Sequence, residues 1–217
     1  ERLLLDAAQN GTLDLPAKVH APIETFIVAR LCETPVTPMQ ITLVTAAISA
    51  VTAVLFARGE LLAGTVLALI VGVLDGVDGK LARVKVETTE LGKREHLLDY
   101  VLELSWWTTL AYHWRATRQV PAAYALLLLL VSADVVDRLA KKKAKELTGR
   151  NLDDVAPVDR FVRLIGGRRN IYIWMLAAAL PFGLADRAFV AACWWGAATA
   201  AVHLLRVGWL ARPRRAS

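Results

Sequence analysis

Long apolar runs alternate with clusters of charge along this chain, and that alternation decides the fold class before any motif is considered. A helix needs about 20 mostly apolar residues to cross a bilayer. Six stretches approach that length, near 39–57, 61–83, 96–114, 120–138, 171–186 and 188–210, the fifth being the shortest. Apolar residues make up 56% of the 217 although 21% are charged, so charge must be confined to loops, helix ends and sites. The expected fold is all-α integral membrane, with six transmembrane helices in residues 39–217. Residues 1–38 are expected to form a linker and an amphipathic juxtamembrane helix. In "PAKVHAPIETFIVARLCE" the apolar Ile23, Phe26, Ile27 and Leu31 recur among charges, a spacing suited to a helix lying on a membrane surface. The prolines of "TPVTPM" then supply a turn into the first span.

The formal net charge of +6 would suggest nucleic acid in a soluble protein, but the basic residues here follow membrane topology. With the N-terminus inside, the outward loops hold only Arg58, Arg115, Arg118 and Arg187 of the 26 Lys and Arg. Lys141, Lys142, Lys143 and Lys145 fall inside, as do Arg212, Arg214 and Arg215 of the tail. The positive-inside rule therefore predicts both termini in the cytoplasm, with the charged end of the second span at the cytoplasmic face. No nucleic-acid partner is expected. Cys32 and Cys193 lie in apolar surroundings without metal-ligand spacing, so neither a disulfide framework nor a zinc site is indicated. The first residue is Glu, which fits a piece of a longer protein with an upstream domain. Trp106–Trp107 and Trp194–Trp195 are read as packing or interface anchors. The basic part of 141–170 is read as the solvated end of the fourth span against anionic lipid. The other reading is that Arg168 or Arg169 lines a phosphate pocket at a helix start after Gly166–Gly167.

The stretch "VGVLDGVDGKLAR" places Asp75 and Asp78 at i, i+3 on one face of the second span, with Gly72, Gly76 and Gly79 on or beside it. Charge within a membrane helix is costly and calls for a partner. The third span opens with "GKREHLLDYVLELSWW", in which Glu95, Asp99 and Glu103 form a second stripe with His96 beside it. Five carboxylates on two neighbouring helices would repel one another unless a cation sits between them. Oxygen ligands favour Mg²⁺ or Mn²⁺ over zinc. Interhelical salt bridges are the plainer alternative, and Arg83 and Lys80 could neutralise part of the cluster or bind a phosphate. A divalent ion beside basic groups at a membrane surface suits metal-dependent phosphoryl transfer, with a carboxylate deprotonating an attacking hydroxyl.

"DGVDGKLAR" resembles the signature of the CDP-alcohol phosphatidyltransferase family, Asp-x-x-Asp-Gly-x-x-Ala-Arg, then eight residues, Gly, three residues, Asp, three residues, Asp. Asp75, Asp78, Gly79, Ala82 and Arg83 match the first half, and Gly92 the next fixed position. The second half departs, because strict spacing falls on His96 and Tyr100. Two shifted frames restore acids: Glu95 with Asp99, or Asp99 with Glu103. A three-residue shift turns a helix by about 300°, nearly a full turn, against about 100° for one residue, so the second frame is preferred.

The resemblance implies transfer of a substituted phosphate from a CDP-linked alcohol, a CDP-diacylglycerol or a CDP-polyol, to an acceptor hydroxyl with release of CMP, as in phospholipid biosynthesis. It implies Asp75, Asp78, Asp99 and Glu95 as metal ligands, and Glu103 with Asp99 as catalytic groups. Asp75, Gly79, Ala82 and Arg83 would hold the nucleotide. It also implies an alcohol or polyol-phosphate acceptor, membrane lipid around the protein, and a homodimer. The opening residues are similar to the linker of bifunctional members, whose N-terminal nucleotidyltransferase makes the CDP-alcohol, as in the di-inositol-phosphate-phosphate synthases. Two other readings are kept: a degenerate member serving as membrane anchor or scaffold for a missing cytosolic domain, and an ion-coupled carrier. The second is disfavoured because the carboxylates lie at one end of the spans and no repeat is visible.

Overall fold

The computed structural model describes residues 14–86 and 92–212, with side chains in the second stretch from Leu98 onward. Among the described residues every regular element is helical. The eight α-helices are α1 (Leu15–Leu31), α2 (Pro38–Arg58), α3 (Leu61–Lys85), α4 (Gly92–Ala116), α5 (Ala123–Thr148), α6 (Pro157–Ile165), α7 (Arg169–Ala179) and α8 (Ala185–Leu210). Short 3₁₀ turns at Leu152–Asp154 and Leu180–Phe182 precede α6 and follow α7.

Local sequence explains the helix ends. Asp14 caps α1 by accepting the Ala17 amide at 2.8 Å. Thr37 and Gln40 form a capping box at α2, with Pro38 in the first turn. The tight corner into α3 uses Gly59 at φ 80°, where a side chain would be strained. Among the described residues, three helices are long and apolar enough to cross a membrane: α2, α3 and α8. Helices α4 and α5 match them in length, but α4 carries Asp99 and Glu103, and α5 carries Asp134, Asp137 and Arg138. Part of the apolar length expected of these spans is therefore given over to polar groups. The fifth expected span is the short α7 together with its 3₁₀ turn.

The packing is that of a protein whose outside is apolar. Leu43, Leu62, Leu128 and Leu205 are exposed, whereas Thr45, Ser49, Thr52 and Thr65 are buried between helices. Small polar side chains at helix contacts with apolar residues outward suit a lipid surround. Trp106 fits this pattern: it is buried, meets Phe56 edge-on and donates its indole N–H to the Ser49 carbonyl at 2.9 Å. Trp194 and Trp195 are exposed on α8.

Helix α1 lies on α3 and α7 and shows the same inversion. Its buried stripe is Pro16, His20, Glu24 and Val28, while Ile23 and Phe26 face outward. Lys80 of α3 pairs with Glu24 at 2.9 Å and also donates to the Ala21 carbonyl and the Thr25 hydroxyl. Gly72 and Gly76 make this approach possible. A Cβ at Gly72 would lie 3.3 Å from the His20 ring, and one at Gly76 would overlap the Glu24 carboxylate. These two glycines thus admit side chains of α1. Lys85 ties down the turn between α1 and α2 by donating to the Thr34 and Val36 carbonyls, both at 2.7 Å.

Candidate active site

With α1 held against its outer face, the C-terminal half of α3 presents Asp75 towards a cavity of about 690 Å³. Helix α4 contributes Tyr100, Glu103 and Trp107, α5 contributes Asp134, Asp137, Arg138 and Lys141, and α6 and the turn into α7 contribute Arg163, Arg168 and Arg169. Gly196 and Thr199 of α8 close the far wall. The cavity is unevenly charged. Asp75 and Glu103 stand on the α3–α4 side, and the basic residues stand on the α5–α7 side together with Asp134, Asp137, Asp153 and Asp154.

Each expected site residue whose side chain is described has a definite place. Asp75 is bonded to the Arg169 guanidinium at 2.6 Å, a contact between residues 94 positions apart. Asp78 is buried and turned towards α2, where the Thr42 hydroxyl donates to it at 3.0 Å. The Gly79 amide donates to its other oxygen at 2.6 Å. Arg83 runs back over Gly79, where a Cβ would stand 3.4 Å from its guanidinium, and Ala82 is half-buried one position before it. Glu103 lines the cavity and accepts the Trp107 indole N–H at 3.4 Å. Trp107 stacks edge-on against Tyr172 of α7, so the carboxylate is braced across the bundle. Asp99 lies one turn before Glu103 on α4 and is half-buried. The Glu95 and His96 side chains lie outside the described residues. Asp75 and Glu103 therefore share one cavity, whereas Asp78 faces a neighbouring helix.

The metal expected of these carboxylates can be tested against this geometry. Their all-oxygen chemistry suits Mg²⁺ or Mn²⁺. Among the described residues, however, no three His, Cys, Asp or Glu side chains are grouped so as to hold an ion. Asp75 is already neutralised by Arg169, and Asp78 is committed to Thr42 and Gly79. Glu95, the fourth expected ligand, lies outside the described side chains, and no step below is routed through an ion.

The basic end was only partly anticipated. Arg168 and Arg169 of "GGRRN" both line the cavity. Arg163 and Arg168 share one carboxylate, Asp153, at 2.5 and 3.3 Å. Burial, and then Arg163, push the pKa of Arg168 down. Lys141, beyond the apolar part of α5, pairs with Asp137 at 2.6 Å. Burial and the nearby Arg168 lower its pKa although Asp137 pulls the other way. Asp153 and Arg163 do not stand out in the sequence because each sits in the polar stretch between α5 and α7, where charge is ordinary. The usable signal was acid–base spacing: Asp137 and Lys141 are i, i+4 on α5, at the polar end of a span.

Residues 35–202 match the sequence profile of the CDP-alcohol phosphatidyltransferases. The chain belongs to that family. A Thermococcus kodakarensis protein described as a bifunctional IPC transferase and DIPP synthase is 28% identical over 187 residues, 85% of this chain. The chain spans 41% of that relative's length. Two crystal structures of Mycobacterium tuberculosis phosphatidylinositol phosphate synthase share its fold at 21% identity. The one with CDP-DAG bound gives a TM-score of 0.61 and covers 90% of this chain and 100% of the other. The apo form gives 0.60, with 87% and 99% covered. CDP-alcohol phosphatidyltransferases are transferases of the integral membrane, and the apolar outside described above agrees with that setting. Within this family member the matched stretch includes the whole of α3, α4 and α5, and hence Asp75, Glu103 and Lys141.

Proposed function

We propose that this domain moves a substituted phosphate from a CDP-linked alcohol to the hydroxyl of a polyol phosphate, releasing CMP. The observation that carries this reading is that one cavity holds Asp75 and Glu103 on one side and, on a basic side, Lys141, Arg163 and Arg168 interleaved with Asp137, Asp153 and Asp154. The donor's nucleotide is assigned to Gly79, Ala82 and Arg83, where two small half-buried residues stand beside an exposed guanidinium. The acceptor's own phosphate lies at the basic side. Arg163 and Arg168 share one oxygen of Asp153, and Arg163 Nε makes no hydrogen bond among the described residues, so guanidinium donors are left there for an anion.

Glu103 takes the proton from the acceptor hydroxyl as its oxygen forms a new bond to the phosphorus that carries the donor's alcohol. The bond from that phosphorus to the CMP oxygen breaks, and CMP leaves with the electron pair. Glu103 is half-buried, and its hydrogen bond to the Trp107 indole holds the carboxylate at the cavity wall. Mg²⁺ or Mn²⁺ at Asp75, Asp78, Asp99 and Glu95 belongs to the proposal on donor chemistry alone. Six membrane spans, an active site at the cytoplasmic face, both termini in the cytoplasm and a homodimer are likewise part of it.

A second reading is favoured by the Asp75–Arg169 pair and by the departure of the motif at His96 and Tyr100. In it the domain is a membrane scaffold for an upstream nucleotidyltransferase. One experiment separates the two: purified protein with Mg²⁺, a panel of CDP-diacylglycerol and CDP-polyols, and inositol phosphate or glycerol phosphate, scored for CMP and product mass. Turnover supports transfer. Absence of both CMP and metal-dependent CDP binding supports the scaffold.

A further inference from the structure

Behind the basic wall of the cavity stands a buried imidazole that the proposed reaction does not use. His203 of α8 is 3% exposed, and its Nδ1 bonds Asp137 Oδ1 of α5. The other Asp137 oxygen accepts from Lys141 Nζ at 2.6 Å, one helical turn further along α5. A carboxylate paired with an ammonium can only accept, so His203 donates from Nδ1. Nε2 of the ring is buried and makes no hydrogen bond among the described residues. The ring's polar contact is therefore Asp137. Asp137 and Lys141 line the cavity, and His203 does not.

The three residues form a line from the helix behind to the cavity in front. An i, i+4 Asp–Lys pair alone holds a flexible lysine only weakly. Fixing the carboxylate from behind with a buried N–H leaves one oxygen aimed along α5, and the ammonium follows it. The line ends at the cavity, since the Lys141 side chain is 26% exposed where the structural Lys80 is 2% exposed.

We propose that His203 is a positioning residue for the acceptor: through Asp137 it fixes the Lys141 ammonium where the acceptor's phosphate binds. This rests on the placement of the acceptor at the basic side of the cavity.

The test measures binding apart from turnover. Purified protein in detergent is titrated calorimetrically with inositol phosphate and with glycerol phosphate in the absence of donor, and CMP release is followed separately. His203→Leu is expected to weaken binding of the phosphate probe about tenfold, with the donor's KM and kcat at saturating acceptor unchanged. His203→Asn, whose side-chain amide can offer an N–H in place of Nδ1, is expected to restore most of the affinity. Lys141→Gln should weaken binding by a similar factor, and His203→Leu should add nothing in that background. Asp137→Asn should behave as His203→Leu does, and it decides the matter if the leucine variant lacks a cooperative thermal transition. Wild-type affinity in Asp137→Asn, or a full additional loss from His203→Leu on top of Lys141→Gln, overturns the proposal. So does a fall in kcat with acceptor binding intact. The expected binding pattern without CMP from any donor would uphold the positioning role and remove the transferase reading. No binding of either probe to the wild-type protein would remove the positioning role, while CMP release alone would still uphold transfer.

Discussion

Two regions of this molecule bury charge, and they do so in opposite ways. Along the seam between α1 and α3, Lys80 and Glu24 meet at 2.9 Å with side chains 2% and 6% exposed. The Lys80 ammonium is completed by the Ala21 carbonyl and the Thr25 hydroxyl. That seam is a closed account of charge, one cation to one anion with the remaining donors used. Around the cavity the pairing is unequal. Arg163 and Arg168 share Asp153, one oxygen of which is buried without a hydrogen bond, and Arg163 Nε is likewise without one among the described residues. A closed pair locks two helices together, whereas unequal pairing beside an open volume leaves charge for a ligand. The contrast separates the lysine that holds the fold from the lysine placed to bind.

The sharpest way to break this comparison is at the acidic wall. Glu103→Gln keeps the shape and the Trp107 contact but cannot accept a proton. CMP release should fall about 10²- to 10⁴-fold, roughly 3–5 kcal/mol of barrier, with the thermal transition unmoved. Asp99→Asn is the companion variant. If it fell as far while Glu103→Gln stayed active, the frame that pairs Glu95 with Asp99 would replace the preferred one.

The seam should fail in the opposite sense. Lys80→Met leaves the Glu24 carboxylate buried without its partner, at a cost of about 3–5 kcal/mol. It should lower the Tm of the detergent-solubilised protein strongly, and the double variant Lys80→Met with Glu24→Leu should recover much of it. Gly76→Ala should also lower Tm, because its methyl group meets a carboxylate that Lys80 prevents from moving. If Lys80→Met left Tm unchanged but removed CMP release, the seam would belong to the site and the contrast would collapse.

How much of this was readable in the sequence follows from what each residue has to announce itself with. Asp75 and Asp78 stand out because they interrupt an apolar run, and the paired motif half with Ala82 and Arg83 carries the family. The outward residues of α1, Ile23 and Phe26, were equally visible. Its inward face was not, since His20 and Glu24 read as solvated polar positions when water is assumed outside. In a lipid surround the polar stripe turns inward, so the glycines opposite, Gly72 and Gly76, accommodate α1. Burial lowers the pKa of His20, as that inward placement requires. The Asp75–Arg169 pair was beyond reach for another reason. It joins two segments 94 residues apart, and nothing local in "GGRRN" says which helix the second arginine meets. The 3₁₀ turn that carries Asp153 opposite Arg163 is likewise set by how α5 and α6 are joined, a tertiary matter.

The smallest expected effect is also the most discriminating about the basic wall. Lys143 stands two residues from Lys141 on α5, but its side chain is 59% exposed and pairs at 3.1 Å with Glu146, itself 51% exposed. Exposed pairs of this kind contribute about 0.3–0.5 kcal/mol, so Lys143→Gln should leave Tm within a degree or two and CMP release at its original rate. Lys141→Gln removes the same formal charge from a side chain that lines the cavity, and should raise the KM for the phosphorylated acceptor about tenfold. Both kinetic curves should be measured at low and high salt. Long-range attraction of an anionic acceptor to a basic surface would depend on both lysines alike and fade with ionic strength. A contact made inside the cavity depends on Lys141 alone and survives salt better. Equal losses from the two variants, both erased by salt, would mean that the basic residues gather acceptor from solution and do not hold it, and the distinction drawn between paired and unequally paired charge would lose its functional half.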